Sequence, residues 1–211
     1  MKNHLIYILI VFVFLFGCNS QSENSVIDNF QNEHHLTEFE KDSIEGIKWL
    51  NKIHDSIGEP NLNHLDYECY RFNYFNSFGK NKLFRIEHFG NNHNRMIIKF
   101  YAQDKYYDKE NDNYDYDNYI LTSEKIIDIT LEQYNEFKKL IDGSYFWSLK
   151  MMESPQPQYL DGYTYLLEGF EPKSSSKKQR YNIVARAVPH EGSFRKACEK
   201  LMEFYNQEDS Q

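Results

Sequence analysis

Of 211 residues, 24 are Lys or Arg and 32 are Asp or Glu, a net charge of −8 that makes nucleic-acid backbone a poor partner, because phosphate binding needs a basic surface. Hydrophobic residues make up 40% and aromatic residues 17%, carried by 17 Tyr and 16 Phe, which supports a packed core and argues against wholesale disorder. A mean hydropathy of −0.75 excludes a polytopic membrane protein.

Lys2 and His4 precede an unbroken apolar run at residues 5–16, the charged-then-apolar layout of an export signal. The run is too short to span, since a bilayer core takes about 20 residues of helix, so a retained transmembrane anchor is the weaker reading. Leu15-Phe16-Gly17-Cys18 then resembles the lipobox of bacterial lipoprotein signals, with a branched apolar residue, a small residue and the cysteine to be modified. The resemblance implies cleavage before Cys18, a diacylglyceryl group on its sulfur and commonly a further acyl chain on its amine. Each buried CH₂ contributes about 0.8 kcal/mol, so two or three chains hold a protein on a membrane where one anchors only marginally. The alternative is an ordinary secreted protein cut near Gly17. Losing residues 1–17 removes Lys2 and no acid, so the exported chain is one charge more negative and tends to stand off anionic lipid.

Residues 18–36, rich in Asn, Ser, Gln and Glu, read as a flexible tether, and residues 37–211 as a single domain. Ile44, Ile47, Leu50, Ile53 and Ile57 recur every three or four positions, the stripe of an amphipathic helix that Gly58 and Pro60 stop. Three alternating segments at 67–75, 82–88 and 94–101 predict an antiparallel meander. Alternation places Tyr70, Phe72, Tyr74, Phe84, Ile86, Met96, Ile98 and Phe100 on one face, the predicted core. Residues 103–119 are acidic, tyrosine-rich and aperiodic, and read as a solvated loop before a fourth strand near 120–129. Thr130 and Gln133 predict a capping box opening a helix with Leu131, Tyr134, Phe137, Leu140 and Ile141 as its stripe, ended by a left-handed Gly143.

Beyond Phe146-Trp147, Pro155 and Pro157 break the chain before Asp161-Gly162 turns it into a strand ending at Gly169. A loop at 170–180, a last strand at 181–188 and a helix carrying Phe194, Ala197, Cys198, Leu201 and Tyr205 complete the order. Hairpin-length connections and this order predict an α+β fold, mainly an antiparallel sheet with helices packed on one face.

Cys69 shares strand parity with Arg71, away from the aromatic layer, while Cys198 belongs to a stripe that packs onto that layer. Their Cβ atoms should point apart, against a disulfide, with Cys198 a small buried hydrophobe. The eight histidines lack zinc-site spacing, no metal is expected, and nothing calls for a cofactor. Asp108, Glu110 and Asp112 begin like a calcium loop, but Asn113 stands where glycine is required and Tyr119 where the bidentate acid belongs. No nucleophile elbow or phosphate loop is present, and no catalytic residue is nominated.

On the face opposite the aromatic layer, alternation gathers Arg71, Arg85, Arg95 and Lys99, with Glu87 and Tyr101 beside them. Guanidinium groups on a rigid sheet suit bidentate capture of carboxylates or phosphates. The plainer reading is a solvated face whose charges pair across strands. Glu168 and Arg186, near the ends of the last two strands, form a second candidate pair with the same alternative.

Tyr70-Arg71-Phe72, Arg85-Ile86-Glu87, Lys99, Phe146-Trp147, Leu160-Asp161-Gly162, Leu167-Glu168-Gly169, Tyr181, Arg186, Pro189 and Cys198 together resemble a family of uncharacterised bacterial exported proteins, over roughly residues 67–205. The resemblance implies no enzyme activity. It singles out Arg71, Arg85, Lys99, Glu168 and Arg186 as binding candidates, or equally as an internal ion network that fixes the sheet. The expectation is therefore a lipid-anchored envelope protein, on the inner or outer membrane, that binds an envelope protein or anionic glycan, an inhibitor or immunity-type protein being its sharpest form. An envelope hydrolase acting on glycan or peptide through unidentified carboxylates is the alternative, and a purely structural role is a third.

Overall fold

A computed structural model describes residues 38–76, 80–90, 93–108, 113–152 and 162–208. The predicted leader, Cys18, the tether and the segment holding Pro155 and Pro157 lie outside the described residues. The chain divides into two compact units, Met1–Glu45 and Gly46–Gln211, and apart from the start of the helix that opens at Glu38 all that follows concerns the second.

Helix α1 (Glu38–Ser56) leads to a one-turn 3₁₀ helix at Leu62–His64 and then strands β1 (Glu68–Asn76), β2 (Asn81–His88), β3 (Asn94–Asp108) and β4 (Asn113–Ile129). Helix α2 (Leu131–Gly143) and a second 3₁₀ turn at Phe146–Ser148 precede β5 (Tyr163–Glu171), β6 (Arg180–Ala187) and helix α3 (Ser193–Glu208). The six strands form one sheet in the order β4-β3-β2-β1-β5-β6, every neighbour antiparallel, so the α+β class is as expected. The first four strands are the predicted meander. β5 then returns across the sheet to pair with β1, in a register that sets Arg71 opposite Glu168.

Two local expectations fail here. Residues 103–119 are no solvated loop: β3 and β4 run on through them as paired strands, with Gln103 opposite Tyr119 and Asp108 opposite Asn113. Backbone hydrogen bonding carries this extension, so the missing apolar alternation hid it. The left-handed residue after α2 is Tyr145 (φ 55°) rather than Gly143, because Ser144 continues the helical bonding to Leu140 and Ile141.

The aromatic face is the main core. Tyr70, Phe72, Phe84, Ile86, Met96, Ile98 and Leu167 pack there against Tyr134, Phe137 and Ile141 of α2 and Ala197, Cys198, Leu201 and Phe204 of α3. The predicted capping box is present, with Gln133 N donating to Thr130 Oγ1 and Thr130 N to Gln133 Oε1. The helices do not all share this face. Ile53 and Ile57 of the α1 segment pack on Leu83, Tyr101 and Tyr119, and Leu50 packs on Leu166 and Ile183, all on the opposite side of the sheet. An amphipathic stripe must be buried against something, and the aromatic face is already taken by α2 and α3. Cys69 and Cys198 are free, buried thiols in clusters on opposite faces.

Candidate functional site

Four of the five nominated binding residues meet in one place, under α1. Arg71, Arg85, Lys99 and Glu168 are all buried, so the face predicted to be solvated is covered, and the supposed cationic patch is matched acid for base. Arg71 makes a bidentate pair with Glu168, Nε to Oε1 at 2.8 Å and Nη2 to Oε2 at 2.8 Å, and its Nη1 donates to the Pro60 carbonyl at 2.8 Å. Tyr181 donates its hydroxyl to Glu168 at 2.9 Å. Burial alone would raise the Glu168 carboxyl, but Arg71, His54 and the hydrogen bonds outweigh it and hold it below the usual value.

The counter-ion that completes the face is Glu59, whose side chain is 0% exposed. Its carboxylate meets Arg85 Nε at 2.9 Å, Lys99 Nζ at 2.9 Å and Arg71 Nη1 at 3.5 Å. The turn that delivers it follows from the helix end. Gly58 adopts φ +68°, Gly58 N donates to Asp55 O and Glu59 N to His54 O, the paired bonds of a Schellman motif. Lys99 Nζ also donates to the carbonyls of Ile57 and Gly58 at 2.8 and 3.1 Å, a cation where the helix dipole is negative. Glu59 sits in a short polar Gly-Glu-Pro turn, where charge ordinarily means solvent, so no periodic signal singles it out.

Glu87, also fully buried, joins Arg85 to the half-exposed Arg95 and accepts the Tyr67 hydroxyl at 2.9 Å. Glu124 approaches Lys99 at 3.4 Å. Four cations, Arg71, Arg85, Arg95 and Lys99, thus face four carboxylates, Glu59, Glu87, Glu124 and Glu168. His54 Nε2 lies 3.2 Å from Asn73 Oδ1 and 3.7 Å from Glu168, and burial followed by the Arg71 charge lowers its pKa from 6.5 to about 3.

Arg186 does not join them. β6 pairs it with Tyr165, on the aromatic side, whereas Glu168 points to the other face, so the proposed Glu168–Arg186 pair does not form. Its guanidinium instead donates to the carbonyls of Met151, Lys150 and Ala185 and lies over the Phe194 ring, tying the chain after the 3₁₀ turn to β6. It lines a cleft of about 340 Å³ with Ser144, Val188, His190 and Arg195, in which Val188 holds a left-handed φ of 44°.

A second polar group occupies the aromatic side. Glu68 and Glu171 stand at adjoining cross-strand positions and share Lys138 Nζ at 2.8 and 2.6 Å. Tyr70 donates to Glu68 at 2.9 Å, and Arg180 binds Glu171 while stacking 4.3 Å over Trp147. Among the described residues, no three His, Cys, Asp or Glu side chains are grouped to hold a metal ion, and no helix is long and apolar enough to cross a membrane. No protein-family model matches the chain, and no curated protein is significantly similar to it.

Proposed function

We propose that this is a lipid-anchored envelope lipoprotein whose body is a non-catalytic binding module, in its sharpest form an inhibitor or immunity-type protein. The observation that carries the reading is Leu15-Phe16-Gly17-Cys18 directly after a short apolar run with Lys2 ahead of it. Asn19, in place of the Asp that signals inner-membrane retention in some bacteria, favours the outer membrane. The geometry of the body supports a module in which the conspicuous charges are spent inward. Glu59, Glu87 and Glu168 neutralise Arg71, Arg85 and Lys99, so these side chains set the shape of the sheet and leave partner contact to the outer surface. With the internal charges balanced, that surface carries the protein's whole negative excess, which favours a basic protein partner over an anionic glycan.

Labelling cells with radioactive palmitate tests the anchor. Wild type should incorporate label and Cys18→Ser should not, and equal incorporation refutes lipidation at that sulfur. The hydrolase reading keeps one specific support, the two carboxylates Glu68 and Glu171 on a single nitrogen, a closeness compatible with the roughly 5 Å spacing of a retaining glycosidase pair. Lys138 between them and Arg180 on Glu171 together neutralise the pair, which speaks for a binding role.

A further inference from the structure

We propose that the cleft beside Glu68 and Glu171 is a binding site for a neutral sugar ring. It goes beyond the protein-partner reading, resting only on the body being a binding module, and it does not depend on the anchor. The cleft, about 320 Å³, lies where the ends of β1 and β5 meet the β2–β3 turn, and is small for a ligand site but within the usual range. Glu68, Glu171, His88, Tyr67, Phe89 and Lys177 are among its lining residues.

One wall is aromatic. Tyr67 and Phe89 lie with ring centroids 4.5 Å apart at 49°, His93 and Arg95 also pack on the Phe89 ring, and Phe89 remains 36% exposed at a turn. A partly exposed aromatic ring beside fixed polar groups matches a sugar, whose C–H face is apolar and whose rim is hydroxyl.

The floor is polar and internally neutralised. Lys138 and Arg180 hold Glu68 and Glu171, while Asp66 and Lys177 also line the cleft. A cation would have to displace Lys138, and an anion would face the carboxylates. A hydroxyl can donate to Glu68 while accepting from Lys177, so a neutral polyol is served while Lys138 keeps its bonds to Glu68, Glu171 and Tyr70. Beneath His88, stacked flat at 4.4 Å and 8°, lies Tyr134, which is 4% exposed. Burial, then the Glu68 charge, pushes its hydroxyl pKa up and keeps it neutral behind the His88 lining.

The test is isothermal titration of the full-length protein, held in a detergent without a sugar head group. The neutral probes are tri-N-acetylchitotriose and maltotriose, and the charged ones are cationic chitotriose and anionic trigalacturonate. At least one neutral trisaccharide should bind. Phe89→Ala, at a half-exposed turn position, should weaken that binding by about tenfold while leaving the melting temperature near wild type. Absence of binding by both neutral probes, unchanged affinity in Phe89→Ala, or tightest binding of either charged probe overturns the sugar site. Shortening of a bound neutral probe supports the site and overturns the non-catalytic reading, whereas palmitate labelling is unaffected by any of these results.

Discussion

Glu59 is the residue on which the covered face depends, because three cations otherwise buried from water converge on its carboxylate. Desolvating a charge is expensive, and removing one partner leaves the others uncompensated, which typically costs about 3–5 kcal/mol. Glu59→Ala should therefore lower the free energy of unfolding by about that much in urea denaturation. A loss below about 1 kcal/mol would show that the three cations find water instead. His54 gives the same site a pH signature. The folded protein keeps it neutral down to about pH 3 whereas the unfolded chain protonates it near 6.5, so the unfolded state binds the extra proton across that window. Stability therefore falls as pH drops below 6.5, by up to about 1.4 kcal/mol per unit. Glu168, held below its ordinary value, adds stability above the unfolded carboxyl pKa of 4.5 that is lost as acid reaches the folded value. His54→Gln should flatten the profile between pH 6.5 and 4.5 and leave the more acidic loss in place. Identical slopes for the two proteins would exclude His54 as the source.

Elements that answer to periodicity were readable from residues alone. The alternation of Tyr70, Phe72 and Tyr74, the Thr130 capping box and the Ala197, Cys198 and Leu201 stripe all fall where their patterns place them. What periodicity does not encode is which side of a sheet a helix covers. Arg71, Arg85 and Lys99 read as solvated because polar strand positions usually are, yet the α1 stripe needed a surface and only theirs was open. The Leu167-Glu168-Gly169 segment shows both cases. Glu168 pairs with Arg71 through strand register, and Gly169 serves contact rather than turning. A Cβ at Gly169 would lie 2.6 Å from Phe146 and 2.9 Å from Tyr70, both buried rings of the core. Gly169→Ala should accordingly destabilise by about 1–3 kcal/mol, read as a lowered denaturation midpoint at unchanged m-value. A neutral result would mean that the 3₁₀ turn carrying Phe146 shifts freely.

At the scale of the whole molecule, β1 is the joint. It pairs with β2 through a local hairpin and with β5 across about a hundred residues, and its two faces belong to separate cores. The aromatic core is closed by elements that follow the meander, while among the described residues the other is closed mainly by what precedes it, Leu50, Ile53 and Ile57 of the α1 segment, Glu59, and Leu62 of the 3₁₀ turn, with Met151 beside Leu50. Each such aliphatic side chain contributes roughly 1.5–3 kcal/mol on burial, so together they rival the roughly 5–15 kcal/mol by which a domain is stable. The covering segment is thus an integral half of the fold, and two truncations separate this from the view that it is an appendage. A chain beginning at residue 46 keeps the compact unit Gly46–Gln211 and should unfold cooperatively within a few degrees of a chain beginning at residue 18 with Cys18→Ser. A chain beginning at residue 66 loses the four aliphatic side chains and Glu59, leaving Arg71, Arg85 and Lys99 open to water. It should show no cooperative thermal transition by near-ultraviolet circular dichroism and should bind a hydrophobic dye. A cooperative melt of that shorter chain near the parent temperature would show that the aromatic side alone holds the sheet and that the ion network is dispensable.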